Sequence, residues 1–361
     1  MGELRLMKGN EALAEAAIRA GVDAYYGYPI TPQSEIMEHL MAENPIKTTG
    51  MVVLQAESET ASINMVYGAA AAGKKAMTSS SSPGVSLMQE GLSYIAGAEL
   101  PCVVVNVVRG GPGLGTIQPS QADYFQTVKG GGHGDYKLIT LAPASVQEMA
   151  DFLKLAFDLA FKYRNPAMIL SDGVIGQMME KVELFDYIPR LSDEQVAENC
   201  PWATTGKKKG TQRRIITSLN LVPHLQEQFN QHLVEKYKTI QDTEVMCEQL
   251  DCEDADYIIV AYGSSARTSM KAVQMAREKG LKAGLLRPQT LWPFPIKQIQ
   301  SHLSHAKGFL SVEMSAGQMV EDVRLAVNGK VPVEHYGRMG GMIASPADIL
   351  QALENFKQSI N

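Results

Sequence analysis

Cysteine is scarce in this 361-residue chain, and its spacing excludes the usual thiolate sites. The four cysteines are Cys102, Cys200, Cys247 and Cys252. None forms a C-x-x-C pair, so neither a four-cysteine iron–sulfur cluster nor a zinc knuckle fits. The seven histidines include no H-E-x-x-H or other ligand spacing; if metal or redox chemistry is involved, the metal is expected on another chain. No run approaches the roughly 18 apolar residues of a membrane span. The start, MGELRLMKGN, lacks the apolar stretch of a signal peptide, so a cytoplasmic location is expected. A net charge of -6 without a long basic block leaves no footprint for nucleic acid. Walker A is missing, and Gly111-Pro112-Gly113-Leu114-Gly115-Thr116 follows a strand without satisfying G-x-G-x-x-G, which disfavours a nicotinamide site.

What is present is ordinary for a globular chain with sizeable cores: 45% hydrophobic and 20% charged residues. The length suggests about two domains. The first half alternates strand-like runs with helical periodicity, the pattern of a parallel sheet with helices on both faces. Strands are predicted over 23–27, 51–55, 75–79, 102–108, 138–141 and 167–171, and helices over 9–20, 32–42, 58–72, 85–97 and 145–162. Character changes from about 187 to 250. ENCPWATTGKKKGTQRRI is loop-like and basic, and HLQEQFNQHLVEKYKTIQ is a polar helix of weak amphipathicity, read as a connecting arm. A second, smaller α/β unit starts at DYIIVAYGSSARTS, with strands predicted at 282–286, 308–312 and 331–335.

Ligands of open parallel sheets bind beyond the carboxyl ends of the strands. Four loops of the first unit occupy such positions: Tyr28-Pro29-Ile30-Thr31, Ala56-Glu57-Ser58-Glu59, Ser79 to Gly84, and Arg109 to Gly115. Together they offer a hydroxyl, carboxylates, a serine-rich turn and a cation. Each also has a purely structural explanation. Thr31 before Pro32 suits a helix N-cap with proline at N1, Glu59 suits a first helical turn, and Arg109 suits a surface. His133 in GGGHGD is either an acid–base group or a loop histidine bonded to backbone. LWPFP and EMSAGQM, rich in aromatics and methionine, read as edge or interface segments, or as core.

Taken together and in order, these stretches resemble one family. GNEALAEAAIRAG, YPITPQSE, QAESETASINMVYGAAAAGKKAMTSSSSPG, AELPCVVVNVVRGGPGLG, GGGHGD, LRPQTLWPFP and VEMSAGQMVEDVR are similar to the α chain of the 2-oxoacid:ferredoxin oxidoreductases. The similarity covers nearly everything outside the 190–250 arm. YPITPQSE with QAESE and SSSSPG most resembles the branched-chain (2-oxoisovalerate) enzymes. The resemblance implies a pyrimidine-binding domain of thiamine enzymes over 1–190, an arm over 191–250, and a transketolase C-terminal-like domain over 251–361. It places Glu59 on the carboxylate that bonds N1′ of the cofactor's aminopyrimidine, Thr31 and Arg109 on the pair that receives the substrate's carboxylate and carbonyl, and Pro29 and Ile30 against the cofactor.

The chemistry is consistent with those placements. The thiazolium C2 proton of thiamine diphosphate is weakly acidic, and a carboxylate at N1′ favours the tautomer whose 4′ nitrogen takes it. Arginine can hold a 2-oxoacid carboxylate through two parallel hydrogen bonds, which lysine cannot reproduce. The GDG...N pattern for diphosphate and Mg2+ is missing. The resemblance therefore implies a shared active site. One partner subunit would bind thiamine diphosphate and Mg2+, an iron–sulfur subunit would carry the clusters, coenzyme A would take the acyl group, and ferredoxin the electrons. The alternatives are a 2-oxoglutarate or pyruvate enzyme, which for the dicarboxylate wants a second cation such as Lys129 or Lys137, and a non-catalytic assembly subunit.

Overall fold

Short β-branched runs alternating with small-residue helices fold as their periodicity dictates. The computed structural model describes residues 2–207, 210 and 212–360; positions 208, 209 and 211 of the basic stretch lie outside the described residues. The first unit runs β1 (Glu3–Lys8), α1 (Gly9–Arg19), β2 (Ala24–Gly27), α2 (Ser34–Glu43), β3 (Val52–Gln55), α3 (Glu59–Ala71), β4 (Ala76–Ser80), α4 (Ser82–Gly97), β5 (Val103–Val108), β6 (Ile139–Leu141), α5 (Val146–Tyr163), β7 (Ala167–Asp172), α6 (Gly173–Gln177) and β8 (Met179–Leu184). Strands β2 to β7 lie within a residue or so of their predicted ranges. Helix α4 begins earlier than predicted: Ser82 and Pro83 form its first turn, where proline's missing N–H is no loss.

The main sheet has the order β6-β7-β5-β4-β2-β3, all parallel. Its centre, VVVNVV of β5, is buried at every position, as a strand covered on both faces requires. Helix α1 packs with α2 and α5, while α3 packs with α4. The last pair is tight: a Cβ on Gly91 would meet Ile63 Cγ2 at 2.6 Å. Outside the sheet, β1 and β8 pair as an antiparallel ribbon, which the sequence reading did not anticipate.

The arm contains α7 (Asp193–Asn199), α8 (Pro223–Thr243) and the strand β9 (Cys247–Leu250). Helix α8 lies on its own chain, burying Leu233, Tyr237 and Ile240, with Lys236 3.0 Å from Glu99 and Tyr237 edge-on to Trp292 at 5.5 Å. The second unit continues with β10 (Tyr257–Ala261), α9 (Gly263–Glu278), β11 (Ala283–Pro288), β12 (Thr290–Trp292), α10 (Ile296–Ser301), β13 (Gly308–Glu313), α11 (Met319–Val327), β14 (Val333–Gly337) and α12 (Pro346–Ile360). Its sheet has the order β14-β13-β10-β11-β9, with β9 antiparallel. The LWPFP segment supplies β12, which leaves this unit and pairs antiparallel with β6 as a seventh strand of the main sheet.

Buried polar groups join the units. Gln121 Nε2 donates to the Tyr262 carbonyl at 2.9 Å, and its Oε1 accepts from Ser265 Oγ at 2.8 Å and Met314 N at 2.9 Å. Asp172, buried at the end of β7, caps α6 and accepts from Ser264 N and Oγ at 3.2 and 2.8 Å. Burial pushes its carboxyl above the ordinary range despite those donors. The EMSAGQM segment, open in the sequence between edge and core, is this interdomain contact.

Helix α1 is tied to the β1–β8 ribbon by charge. Glu15 is buried and accepts from Arg19 Nε at 2.7 Å and His39 Nε2 at 3.3 Å, with Arg5 at 3.5 Å. Burial opposes its ionisation, but the His39 and Arg19 hydrogen bonds and the Arg19 and Arg5 charges outweigh that and hold the carboxyl at about 2, against an ordinary 4.5. A depressed folded pKa stabilises above 4.5, and that stabilisation is lost as pH falls toward 2. The melting temperature of Glu15→Gln, followed across acid pH, is therefore expected to fall less steeply over that window than the wild type's.

Candidate functional site

In a parallel sheet the loops leaving neighbouring strands open on one edge. Strands β5, β4, β2 and β3 are consecutive neighbours, so the loops after Val108, Ser80, Gly27 and Gln55 converge. This brings the four sequence-predicted stretches to one place.

Arg109 is anchored first through its backbone. Its N–H donates to Ser82 Oγ at 3.1 Å, and that hydroxyl donates back to the Arg109 carbonyl at 3.1 Å. The half-buried guanidinium then spans two loops: Nη1 donates to the Thr31 carbonyl at 3.0 Å and Nη2 to the Leu114 carbonyl at 3.3 Å. Its Nε is buried with no partner, and no carboxylate pairs with it among the described residues. Only two of five N–H groups are used. The remaining three have no acceptor among the described residues.

Thr31 does not cap a helix. Helix α2 starts at Ser34, with Gln33 at the cap position, because the Pro32 carbonyl is taken from behind. Asn10 Nδ2 donates to it at 2.8 Å and Gln177 Nε2 at 3.1 Å. Gln33 itself is buried and closes the turn, donating to the Tyr28 carbonyl at 3.2 Å and accepting from Ser79 Oγ at 2.6 Å. Tyr25 OH lies 2.7 Å from the same Ser79 hydroxyl. Thr31 is thus exposed, with its side-chain hydroxyl in no hydrogen bond among the described residues. Pro29 is exposed and Ile30 half-buried in the same loop.

Glu59 is the first residue of α3, whose N-cap Ser58 accepts from Ala61 N at 3.1 Å. The residue is 5% exposed, with Oε1 3.5 Å from Ser80 Oγ and no hydrogen-bond donor to Oε2 among the described residues. Gly84 packs directly against it in a contact that only glycine permits: a Cβ there would lie 2.1 Å from Ser80 Oγ and 2.4 Å from Glu59 Oε1. Ser81 Oγ, also buried, has no partner. A buried carboxyl group beside glycine and serine fits the ring nitrogen N1′ of an aminopyrimidine such as that of thiamine diphosphate.

Glu59 and Arg109 are connected through the first turn of α4, since Ser82 holds the arginine backbone and Gly84 abuts the glutamate. The same turn rests on Asn106, which accepts from Ser82 N at 3.1 Å and donates to Asp123 at 2.9 Å. Burial raises the Asp123 carboxyl, although Asn106 and Ser82 hydrogen bonds oppose this. Sequence reasoning missed Gln33 and Asn106, and named Ser82 and Gly84 only as members of the 79–84 loop, with no individual role. The one available signal was a polar residue inside the apolar run VVVNVV. Lys129 pairs with Asp322, and Lys137 donates to the Val128 carbonyl at 3.4 Å. The His133 carbonyl accepts from Ser93 Oγ at 2.6 Å and its ring meets Tyr94 edge-on.

Comparison with known proteins bears on the family and the fold. A family model described as pyruvate flavodoxin/ferredoxin oxidoreductase, thiamine diphosphate-binding, matches residues 15–249, and one for core domain II of pyruvate:ferredoxin oxidoreductase matches 255–349. The ketoisovalerate oxidoreductase subunit VorB of Methanothermobacter marburgensis is 49% identical over 99% of both chains. The 2-oxoglutarate synthase subunit KorA of the same organism is 36% identical over 99% of this chain and 100% of its own. Among solved structures, the 2-oxoglutarate:ferredoxin oxidoreductase from Magnetococcus marinus, with 2-oxoglutarate, coenzyme A and succinyl-CoA bound, superposes with a TM-score of 0.85 at 28% identity. All of this chain is covered, but it spans 66% of that longer chain. A split-gene transketolase, an inactive beta4 tetramer, shares the fold alone, at a TM-score of 0.60 and 12% identity over 97% of each chain.

Gly84→Ala is expected to destabilise the chain by about 1–3 kcal/mol through overpacking, read by chemical denaturation. Adding Ser80→Ala should recover part of the loss by removing the nearer clash.

Proposed function

The chain belongs to the 2-oxoacid:ferredoxin oxidoreductase family, and from that premise we propose that it is the pyrimidine-binding subunit of an enzyme for branched-chain 2-oxoacids. The reaction is oxidative decarboxylation with coenzyme A, giving acyl-CoA, CO2 and reduced ferredoxin. The observation that carries the reading is the Arg109 guanidinium, fixed by two backbone carbonyls yet free of any carboxylate among the described residues. A 2-oxoacid presents a carboxylate next to a carbonyl. The remaining N–H groups of Arg109 suit the first, and the uncommitted Thr31 hydroxyl suits the second.

When bound, thiamine diphosphate supplies the nucleophilic carbon and the electron sink for loss of CO2. The residues of this chain do the holding. Glu59, packed against Gly84, would hold the pyrimidine ring by a hydrogen bond, and Pro29 and Ile30 would form the loop against it. With no diphosphate or Mg2+ motif in its sequence, this chain carries half of the site. We assign the diphosphate and Mg2+ to one partner subunit and the iron–sulfur clusters to another, in a cytoplasmic complex.

A branched-chain substrate is favoured over a dicarboxylate by two observations. The relatives named for ketoisovalerate are 49% identical, against 36% for one named for 2-oxoglutarate. The two lysines that could meet a second carboxylate are otherwise engaged, Lys129 by Asp322 and Lys137 by the Val128 carbonyl. The deciding experiment is an oxoacid panel with the co-purified complex, reading coenzyme A-dependent ferredoxin reduction. 3-Methyl-2-oxobutanoate should give the highest kcat/KM; preference for 2-oxoglutarate or pyruvate would overturn the substrate assignment. Glu59→Gln should assemble normally yet lose at least about a hundredfold in turnover. Near-normal turnover would remove Glu59 from the site.

A further inference from the structure

Arg109 is held by a loop that also leans on the C-terminal domain. Residues 110–118 close on themselves: Gly110 N donates to the Gln118 carbonyl at 2.9 Å and Thr116 N to the Gly110 carbonyl at 2.8 Å. Gly113 and Gly115, at φ of +69° and +55°, make the bends that turn the Leu114 carbonyl back to Arg109. Beyond these internal bonds, the outer side of the loop rests on the C-terminal domain, on a turn that follows β14. That turn is fastened by Arg338 N to the Glu313 carbonyl at 3.3 Å and by Met342 N to the Met339 carbonyl at 3.2 Å. Glu313 is itself buried and accepts from the N–H groups of Gln318, Met319 and Val320, each at 3.0 Å.

The contact sets the Gly340–Gly341 backbone against the Gly110 backbone and the Gln118 and Thr116 side chains. A Cβ on Gly110 would lie 3.3 Å from Gly341 N and 3.4 Å from Gly340 C. A Cβ on Gly341 would lie 2.3 Å from Gln118 Cβ and 3.3 Å from Thr116 Cγ2. Gly340, by contrast, has open space around its absent side chain. Both have positive φ, +62° for Gly340 and +92° for Gly341. A few residues on, Ser120 Oγ and Gln121 N both donate to the Met314 carbonyl, at 3.2 and 2.9 Å.

We propose that Gly341 is a positioning residue: by admitting the 110–118 loop against its bare backbone, the C-terminal domain sets where the Leu114 carbonyl holds the Arg109 guanidinium, and hence the affinity for the oxoacid carboxylate. This rests on the reading of Arg109 as the carboxylate receptor. A methyl group at Gly341 pushes the loop outward, whereas one at Gly340 strains the same turn without touching it.

The test is steady-state kinetics of the assembled complex with 3-methyl-2-oxobutanoate, for Gly341→Ala, Gly340→Ala and Arg109→Lys. Gly341→Ala is expected to raise KM about tenfold with kcat within about twofold, and Gly340→Ala to keep the wild-type KM. Adding Gln118→Gly to Gly341→Ala, which exchanges one Cβ for the other, should bring KM back. Equal KM values for the two glycine variants, or a parallel loss in kcat, would overturn the proposal. Should Gly341→Ala fail to assemble, Gln118→Gly alone opens the same contact from the loop side: a severalfold KM rise supports the brace, and a wild-type KM sinks it. Arg109→Lys separates the two levels. A raised KM there with no change in Gly341→Ala removes only the brace, whereas an unchanged KM for Arg109→Lys removes the receptor and the brace together.

Discussion

The site depends on one charged group shared between two backbone carbonyls. Arg109 leaves the end of β5 and reaches across to the loop that follows β2, bonding the Thr31 carbonyl, while its own downstream loop returns the Leu114 carbonyl. A guanidinium partly removed from water must satisfy its donors. Two fixed acceptors lock the plane of the group, and the donors left over have no partner among the described residues. Had a carboxylate filled that role, the arginine would be a neutralised structural pair. Carbonyls orient it while leaving its charge uncompensated.

Everything beneath this clamp keeps two loops at the right height. Gln33, Ser79 and Tyr25 form a buried relay from the turn after β2 to the end of β4. Asn106 does the same from the middle of β5 to the first turn of α4. That turn serves two masters, with Ser82 on the Arg109 backbone and Gly84 against Glu59. Displacement of α4 would therefore disturb Arg109 and Glu59 at once. In a low-dielectric interior such fully satisfied polar links are specific in geometry, since each unpaired member would cost about 1–3 kcal/mol.

The C-terminal domain belongs to the same construction. It lends β12 to the main sheet, meets Gln121 and Asp172 through buried hydrogen bonds, and carries the glycine turn against the 110–118 loop. The two units are thus interlocked by strand exchange and polar pairing as well as by apolar contact.

Much of this was legible in the chain itself. Period-2 and period-3.6 patterns located the strands and helices of the first unit, because each must hide one face or both. The order of YPITP, QAESE, SSSSPG and RGGPGLG identified the family and put Thr31, Glu59 and Arg109 on one list. Local rules also misled: Thr31-Pro32 has the composition of a helix start, yet the helix begins at Ser34 because Asn10 and Gln177, one on α1 and the other on α6, take the Pro32 carbonyl. The pairing of β1 with β8, the departure of β12 from its own unit and the docking of α8 share that origin. They join residues far apart in sequence, and no local periodicity encodes the partner. The sequence by itself determined which chemical groups the protein possesses and which strand ends carry them. Tertiary structure alone decided which hydroxyl stays free, which glycine makes room, and what holds the arginine still, since those depend on distances between segments that meet only when the chain is folded.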